Sequence, residues 1–331
     1  IMTIPELIYK MHCKLYGYYF NSIINKPFTD YCNHYKSYQH SLTHRAEFKH
    51  VNYIAARPNP GAGIGHQMAN WMAGYHLAQR LGLKFAHIPF SNIHHPYFPT
   101  QWNTFLGFER GEESYKSLLS KGYKKILLPR FNEADKEQYK VIEQIIKSYA
   151  DKRVVFLCEQ DQFYRELQTL IPDLQCKFYR APARKLDKLI YTKEHLNIAI
   201  HVRRGDIMTD PTNPNLAIRY LSNDYFKKVL IQVLERVRTD KPIHIYFFSQ
   251  GKPENYLEFA HIPNLHWCMD MKAMDSFLHM VYADVLITSK SSFSYKPALL
   301  NQGIKVCPQN FWHGYPNTKD WIMVDNEGNL Q

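Results

Sequence analysis

No run of 18 uninterrupted apolar residues occurs in the sequence, so no segment reads as a membrane-spanning helix. No Asn-x-Ser/Thr sequon is present, and nothing marks the chain as secreted or Golgi-processed. Six cysteines are present: Cys13, Cys32, Cys158, Cys176, Cys268 and Cys307. They form no CxxC pair and no metal-ligand spacing, and several sit in apolar runs such as Val154–Cys158. This pattern reads as buried thiols in a reducing compartment. Internal repeats and low-complexity tracts are absent as well.

What is present is ordinary globular composition. Apolar residues make up 45% and charged residues 21%, which excludes wholesale disorder. The length of 331 residues suits one large α/β domain or two smaller ones. Lys plus Arg outnumber Asp plus Glu by 41 to 30, a formal charge of +11. Such an excess favours anionic partners: nucleic acid, an acidic membrane face or a phosphorylated ligand. Residues 1–25 read as an amphipathic helix bearing Lys10 and Lys14, too broken for a signal peptide. That helix suits packing on its own domain or loose contact with an anionic membrane surface.

Apolar runs and helical periodicity predict alternating elements. A strand over 51–56 leads into a glycine-rich loop and a helix over 67–81, which Gly82 stops. A strand follows over 84–88, then helices near 115–121 and 133–149 and a strand over 154–158. Residues 179–185, with Pro182 and several basic residues, read as a linker. Beyond it, strands over 197–202, 243–248, 265–268, 285–288 and 304–307 alternate with helices over 223–238, 254–259, 274–282 and 293–300. Ser222 caps the first of these helices. The alternation predicts α/β architecture with parallel sheets, in two Rossmann-like domains over 1–185 and 186–331 facing a cleft.

Three constellations carry chemistry. The first is His201-Val-Arg-Arg-Gly-Asp206, directly after a strand. Ligands of open parallel sheets bind where strands end, and Arg203 and Arg204 there suit a diphosphate. The second is Asp284-Val-Leu-Ile-Thr-Ser-Lys-Ser-Ser-Phe-Ser294, whose Ser-rich turn opens a helix and suits an anion or a simple N-cap. The third is Gly61-Ala-Gly-Ile-Gly-His-Gln67, a glycine-rich strand-to-helix turn in which Gly63 and Gly65 let backbone approach a ligand closely. It lacks the acidic residue about 20 positions on that a dinucleotide fingerprint needs.

Taken together and in this order, the three blocks resemble the α1,2-fucosyltransferases and, more loosely, the α1,6- and protein O-fucosyltransferases. The resemblance covers Ile54–Leu83 and His195–Leu300. It implies a two-domain GT-B fold, GDP-fucose as donor, a glycan acceptor, inversion at the anomeric carbon and no metal. It implies that Arg203 contacts the β-phosphate with Arg204 beside it. The resemblance also implies that His201 lies near the guanine, that Asp275 pairs with the guanine N1 and N2 donors, and that Ser291 and Ser292 hold the diphosphate. Two departures stand out: His66 where the family has Asn, and Tyr295-Lys296 where it has an aromatic pair.

The absence of any Asp-x-Asp spacing fits a transferase without a metal clamp. The base that would take the acceptor proton stays open among Asp206, Asp210, His66 and Glu109, with Asp206 also suited to holding the Arg pair. Competing expectations are a transferase using another nucleotide sugar, a basic nucleic-acid-binding protein and a non-catalytic glycan-binding relative. Nucleic acid is disfavoured because no binding module accompanies the charge. The expected location is cytoplasmic, with peripheral contact at an anionic inner membrane face; the alternative is a Golgi lumenal fragment lacking its anchor.

Overall fold

The computed structural model describes residues 31–59, 62–91, 101–160, 167–209, 212 and 214–331, without the side chains of residues 31–35, 206, 209, 215 and 216. The helix expected over 1–25 and Asp210 fall outside the described residues. The chain divides into two compact units. The first comprises Ile1–Asn103 and Phe108–Leu167; the second comprises Thr104–Gly107 and Gln168–Gln331. No helix among the described residues is long and apolar enough to cross a membrane.

The first unit is built on five parallel strands: β1 (Tyr53–Ala56), β2 (Lys84–His87), β3 (Glu113–Ser114), β4 (Lys124–Leu127) and β5 (Val154–Cys158). Their order is β3-β2-β1-β5-β4: the chain steps outward from β1 to β3, crosses to the far edge at β4 and steps back inward to β5. Strand β1 starts at Tyr53 rather than at residue 51. Just before it, the Asn52 side chain accepts from Val154 N at 2.9 Å and donates to Tyr149 O at 3.3 Å. The helix Ile64–Arg80 starts three residues before the expected Gln67, directly out of the glycine turn. It ends as expected at Gly82 (φ 65°), where Leu83 N donates back to Ala78 O at 2.9 Å.

The second unit holds six parallel strands: β6 (Leu196–His201), β7 (Ile243–Ser249), β8 (Leu265–Met269), β9 (Val285–Ile287), β10 (Ile304–Pro308) and β11 (Trp321–Val324). The order β11-β10-β9-β6-β7-β8 places its change of direction between β6 and β9. The helix Asn223–Arg236 buries Phe226, Val229, Leu230 and Val233, a helical stripe, against Ile198, Ile245 and Phe247 of the sheet. Each such side chain contributes about 1.5–3 kcal/mol by leaving water. Ser222 caps the helix, its Oγ accepting from Tyr225 N at 3.1 Å.

Residues 179–185 are not a linker. Pro182–Leu186 form a 3-10 turn, and the Arg184 guanidinium lies 3.8 Å from the Phe178 ring and 4.6 Å from the Phe105 ring. The preceding helix Ile171–Tyr179 is tied to the end of the helix Ser292–Leu300 by Gln175 Nε2, which donates to Leu299 O, and by Tyr179 OH, which donates to Leu300 O. The expected boundary at 185 therefore falls inside the second unit.

Candidate functional site

Strand β6 delivers the Arg pair to the carboxyl edge of its sheet. Ser289, just beyond β9, locks the two strand ends together: its Oγ accepts from Arg203 N at 2.9 Å and donates to His201 O at 2.5 Å. Ser289 is itself held by Ser294, whose Oγ accepts from Ser289 N at 3.2 Å. Ser291 caps the following helix, accepting from Phe293 N at 3.2 Å. Gly205 takes φ 69°, and a Cβ there would lie 2.1 Å from Gln250 Oε1. Glycine is required at this turn on both counts.

A cavity of about 300 Å³ opens at this edge, where ligands of open α/β sheets bind. Its walls are His201, Val202, Arg203 and Arg204 after β6, and Phe248, Ser249 and Gln250 at the end of β7. Asp270, Met271, Ala273 and Ser276 after β8 and Phe293 after β9 complete it. Ser249 and the buried Tyr256 brace the β7 side. Ser249 Oγ donates to Val202 O at 2.8 Å, and Tyr256 OH donates to Gln250 O at 2.7 Å.

The charges in this cavity are arranged unequally. His201 is 7% exposed, and burial, reinforced by Arg203 and Arg204, pushes its pKa down to about 3. It is neutral at physiological pH. Its Nδ1 is buried and meets no hydrogen-bond partner among the described residues. Arg204 is tied to protein. Its Nη1 donates to Arg203 O at 2.8 Å, its Nη2 donates to Asn223 Oδ1 at 2.6 Å, and its guanidinium lies 4.8 Å from the Tyr220 ring. Asn223 in turn donates to Glu258 at 3.1 Å. Burial lowers the Arg204 pKa. Arg203 is only half-buried. The pair thus divides into a guanidinium at the cavity and one that holds the turn.

The structure brings His201, Arg203 and Arg204 together in one cavity and sets Ser291 and Ser292 on the adjoining turn. Ser292 Oγ lies 3.0 Å from His313 Nε2. Asp275 is exposed on the first turn of the helix Ala273–Tyr282 and is not part of the cavity wall. Asp206 opens the short helix Asp206–Thr209, and its side chain lies outside the described residues. Gly63, Gly65 and His66 belong to the first unit, at the start of the helix Ile64–Arg80. Glu109 is there too, half-buried.

Sequence reading missed Ser249, Gln250, Asp270 and Phe293 as cavity residues. Asp270 directly follows β8, so the strand-end rule would have found it had the strand been drawn to Met269. Asp270 also has φ 50°, a left-handed conformation that aspartate tolerates better than most residues. The departure at Tyr295-Lys296 is structural in part. Tyr295 is 3% exposed and stacks on His313 at 4.8 Å. Lys296 is fully buried, and burial pushes its pKa down to about 7. Among the described residues no group of three His, Cys, Asp or Glu is arranged to hold a metal ion.

Two α/β units, each with helices and a parallel sheet, define a GT-B type fold. The comparisons agree with this class. The α-1,6-fucosyltransferase NodZ, co-crystallised with GDP, superposes at TM-score 0.50 with 12% identity, over 86% of this chain and 98% of that one. The Bradyrhizobium NodZ structure scores 0.49 at the same identity and coverage. POFUT1 in complex with GDP scores 0.45 at 12% identity, covering 78% of this chain and 97% of that one. At these identities the likeness to NodZ is one of fold. No family model matches the sequence, and no curated protein matches it.

Proposed function

We propose that the chain is a fucosyltransferase that takes GDP-fucose as donor and a glycan hydroxyl as acceptor. The observation that carries this is the cavity at the β6/β9 switch point, which runs from Asp270 to Arg203 on a fold shared with a fucosyltransferase. Its chemistry suits a nucleoside diphosphate. Asp270 offers a carboxylate that accepts from the N1–H and 2-amino groups of guanine, and His201 offers a neutral ring nitrogen. The planar fork of Arg203 suits phosphate oxygens. In the transfer the acceptor hydroxyl gives its proton to a base, open among Asp206, Asp210, His66 and Glu109, and its oxygen forms a bond to the fucose anomeric carbon. The bond from that carbon to the β-phosphate oxygen breaks, and its electron pair leaves on GDP. Arg203 and the Ser291–Ser292 turn face the charge that grows, the arrangement that favours a transition state over a bound substrate.

Titration with GDP, UDP and ADP tests the donor. GDP should bind much more tightly than the other two, and equal affinity would remove the guanine assignment. No step of this transfer calls for a metal ion, so turnover should persist in excess EDTA. Loss in EDTA with rescue by Mn²⁺ would refute that. For the linkage, the motif block favours α1,2, while an α1,6 product fits the NodZ-like fold equally well. An acceptor array with product linkage analysis decides between them. We place the enzyme in the cytoplasm, peripheral to an anionic membrane through its +11 charge. Flotation with anionic liposomes should show binding that weakens with salt.

A further inference from the structure

We propose that the first unit docks on an anionic lipid surface through the amino edge of its sheet, with Leu42, Phe48 and Val51 presented to the bilayer inside a rim of unpaired cations. This rests on the peripheral-membrane reading above and supplies the face for it. The five strands of the unit are parallel, so their starts share one edge. That edge is flush. Tyr53 of β1 is level with Lys84 of β2 and Val155 of β5, and Lys124 of β4 is level with Val154 of β5.

The segments that enter these strands are bound to one another. Lys49 N donates to Ala150 O at 3.0 Å, Lys84 N to Asn52 O at 3.3 Å and Lys124 N to Arg153 O at 2.9 Å. The end of the helix Tyr31–Thr43 is fastened to the same edge: His40 stacks on Tyr149 at 3.9 Å, and its Nδ1 lies 3.0 Å from Ser148 Oγ. A rim braced in this way is already ordered when it meets a partner, which lowers the entropic cost of binding.

Two features of this edge select the partner. Leu42, Phe48 and Val51 are 52%, 52% and 50% exposed, and all three fall within ten residues of chain. A single exposed apolar side chain is ordinary, whereas a group of them ringed by charge marks an interaction face. Around them Arg45, Lys49, Lys84, Lys124 and Arg153 are exposed, and none of the five pairs with a carboxylate among the described residues. Glu47 and Asp151 are exposed there too and leave the rim net positive. At β3 the charge of Glu113 is matched by Lys121 at 3.3 Å. Cations around apolar tips suit a lipid surface: headgroup phosphates meet the ammonium and guanidinium groups, and the apolar side chains enter the boundary beneath. A polynucleotide would match the cations and leave Leu42 and Val51 in water. Docked in this way, the sheet turns its carboxyl edge, where ligands of such sheets bind, away from the lipid.

The test is flotation of the whole chain with vesicles of phosphatidylcholine, alone and mixed with phosphatidylglycerol. The wild type should bind the mixed vesicles and not the neutral ones. Arg45→Glu with Lys49→Glu, and separately Lys124→Glu with Arg153→Glu, should each weaken that binding roughly thirtyfold, the scale of two basic residues lost at a charged surface. Lys185→Glu with Lys188→Glu, exposed in the second unit, should weaken it far less. Phe48→Trp should show fluorescence quenched by brominated lipid in the mixed vesicles, and Leu257→Trp, exposed in the second unit, should not. GDP affinity should stay at the wild-type value in every variant, so the donor reading is judged separately. A wild type that ignores the mixed vesicles overturns both this face and the peripheral-membrane reading. Binding that survives both rim pairs and is lost with Lys10→Glu and Lys14→Glu, or with the Lys185 and Lys188 pair, overturns this face and leaves that reading standing. Equal binding to neutral vesicles, an unquenched Phe48→Trp, or a DNA duplex held by the rim more tightly than the vesicles also overturns it.

Discussion

Replacing Ser289 by alanine removes one hydroxyl that serves two strands. Ser289 is 2% exposed, so water cannot take its place. The Arg203 N–H loses its acceptor and the His201 C=O loses its donor. A buried polar group left unpaired costs about 1–3 kcal/mol. Two such groups sharing one hydroxyl give roughly 2–4 kcal/mol. In a unit of this size each kcal/mol shifts the melting temperature by about 2–4 °C, so a fall of roughly 5–15 °C is expected by circular dichroism. The second consequence separates this from ordinary core damage. The freed N–H belongs to Arg203, so its guanidinium loses its anchor and GDP affinity should fall at least tenfold by calorimetry, although Ser289 is not part of the cavity wall. Ser289→Ala with an unchanged melting temperature and full GDP affinity would refute the role of this lock.

Arg203→Ala should lower turnover by about two orders of magnitude, the scale of one preorganised donor, and Arg203→Lys should restore little because a point charge lacks the fork; full activity would remove Arg203 from the chemistry. Asp270→Asn should flatten the preference for GDP over UDP while Asp275→Asn leaves it, and the reverse result would return the guanine to Asp275. Gly205→Ala should cost about 1–2 kcal/mol of left-handed strain and push Gln250 into the cavity, weakening GDP binding more than Gln250→Ala does. His201 has a folded pKa of about 3 against 6.5 unfolded, so the unfolded chain binds more protons between those values. Its contribution to stability is complete above pH 6.5 and is lost as pH falls toward 3, by up to about 1.4 kcal/mol per pH unit. The stability–pH curve of His201→Gln should be flatter there, and an identical curve would show that the ring is not buried neutral.

The architecture was legible where burial writes a continuous apolar run. Val154–Cys158 was read with both ends right, and β7 and β10 to within a residue. Strand β4 was not, because Lys124-Lys125-Ile126-Leu127 is a partly exposed edge strand, and β3 is only two residues long. The Arg-rich stretch before 185 read as a linker because its partner, Phe105, lies far back in the chain. The site showed the same division. His201, Arg203 and the serine turn carry a contiguous pattern and were found. Arg204 was read only as the neighbour of Arg203, and its hydrogen bonds to Arg203 O and Asn223 give it a role in holding the turn.

The four residues Thr104–Gly107 that join the second unit bear on how the protein comes to exist at all. Phe105 packs edge-on against Phe178 at 5.7 Å and Phe277 at 5.8 Å, and its carbonyl accepts from Arg184 Nη2 at 3.0 Å. Gly107 leaves no room for a Cβ against Ala181. On the ribosome this peptide emerges long before the strands it will serve, and it must wait while the rest of the first unit is made. The second unit therefore cannot close as an autonomous domain when its last strand appears. It closes around a plug supplied earlier, so residues 168–331 expressed alone would present an aromatic socket to other chains, and adding the peptide 101–110 in trans would be the direct way to fill it.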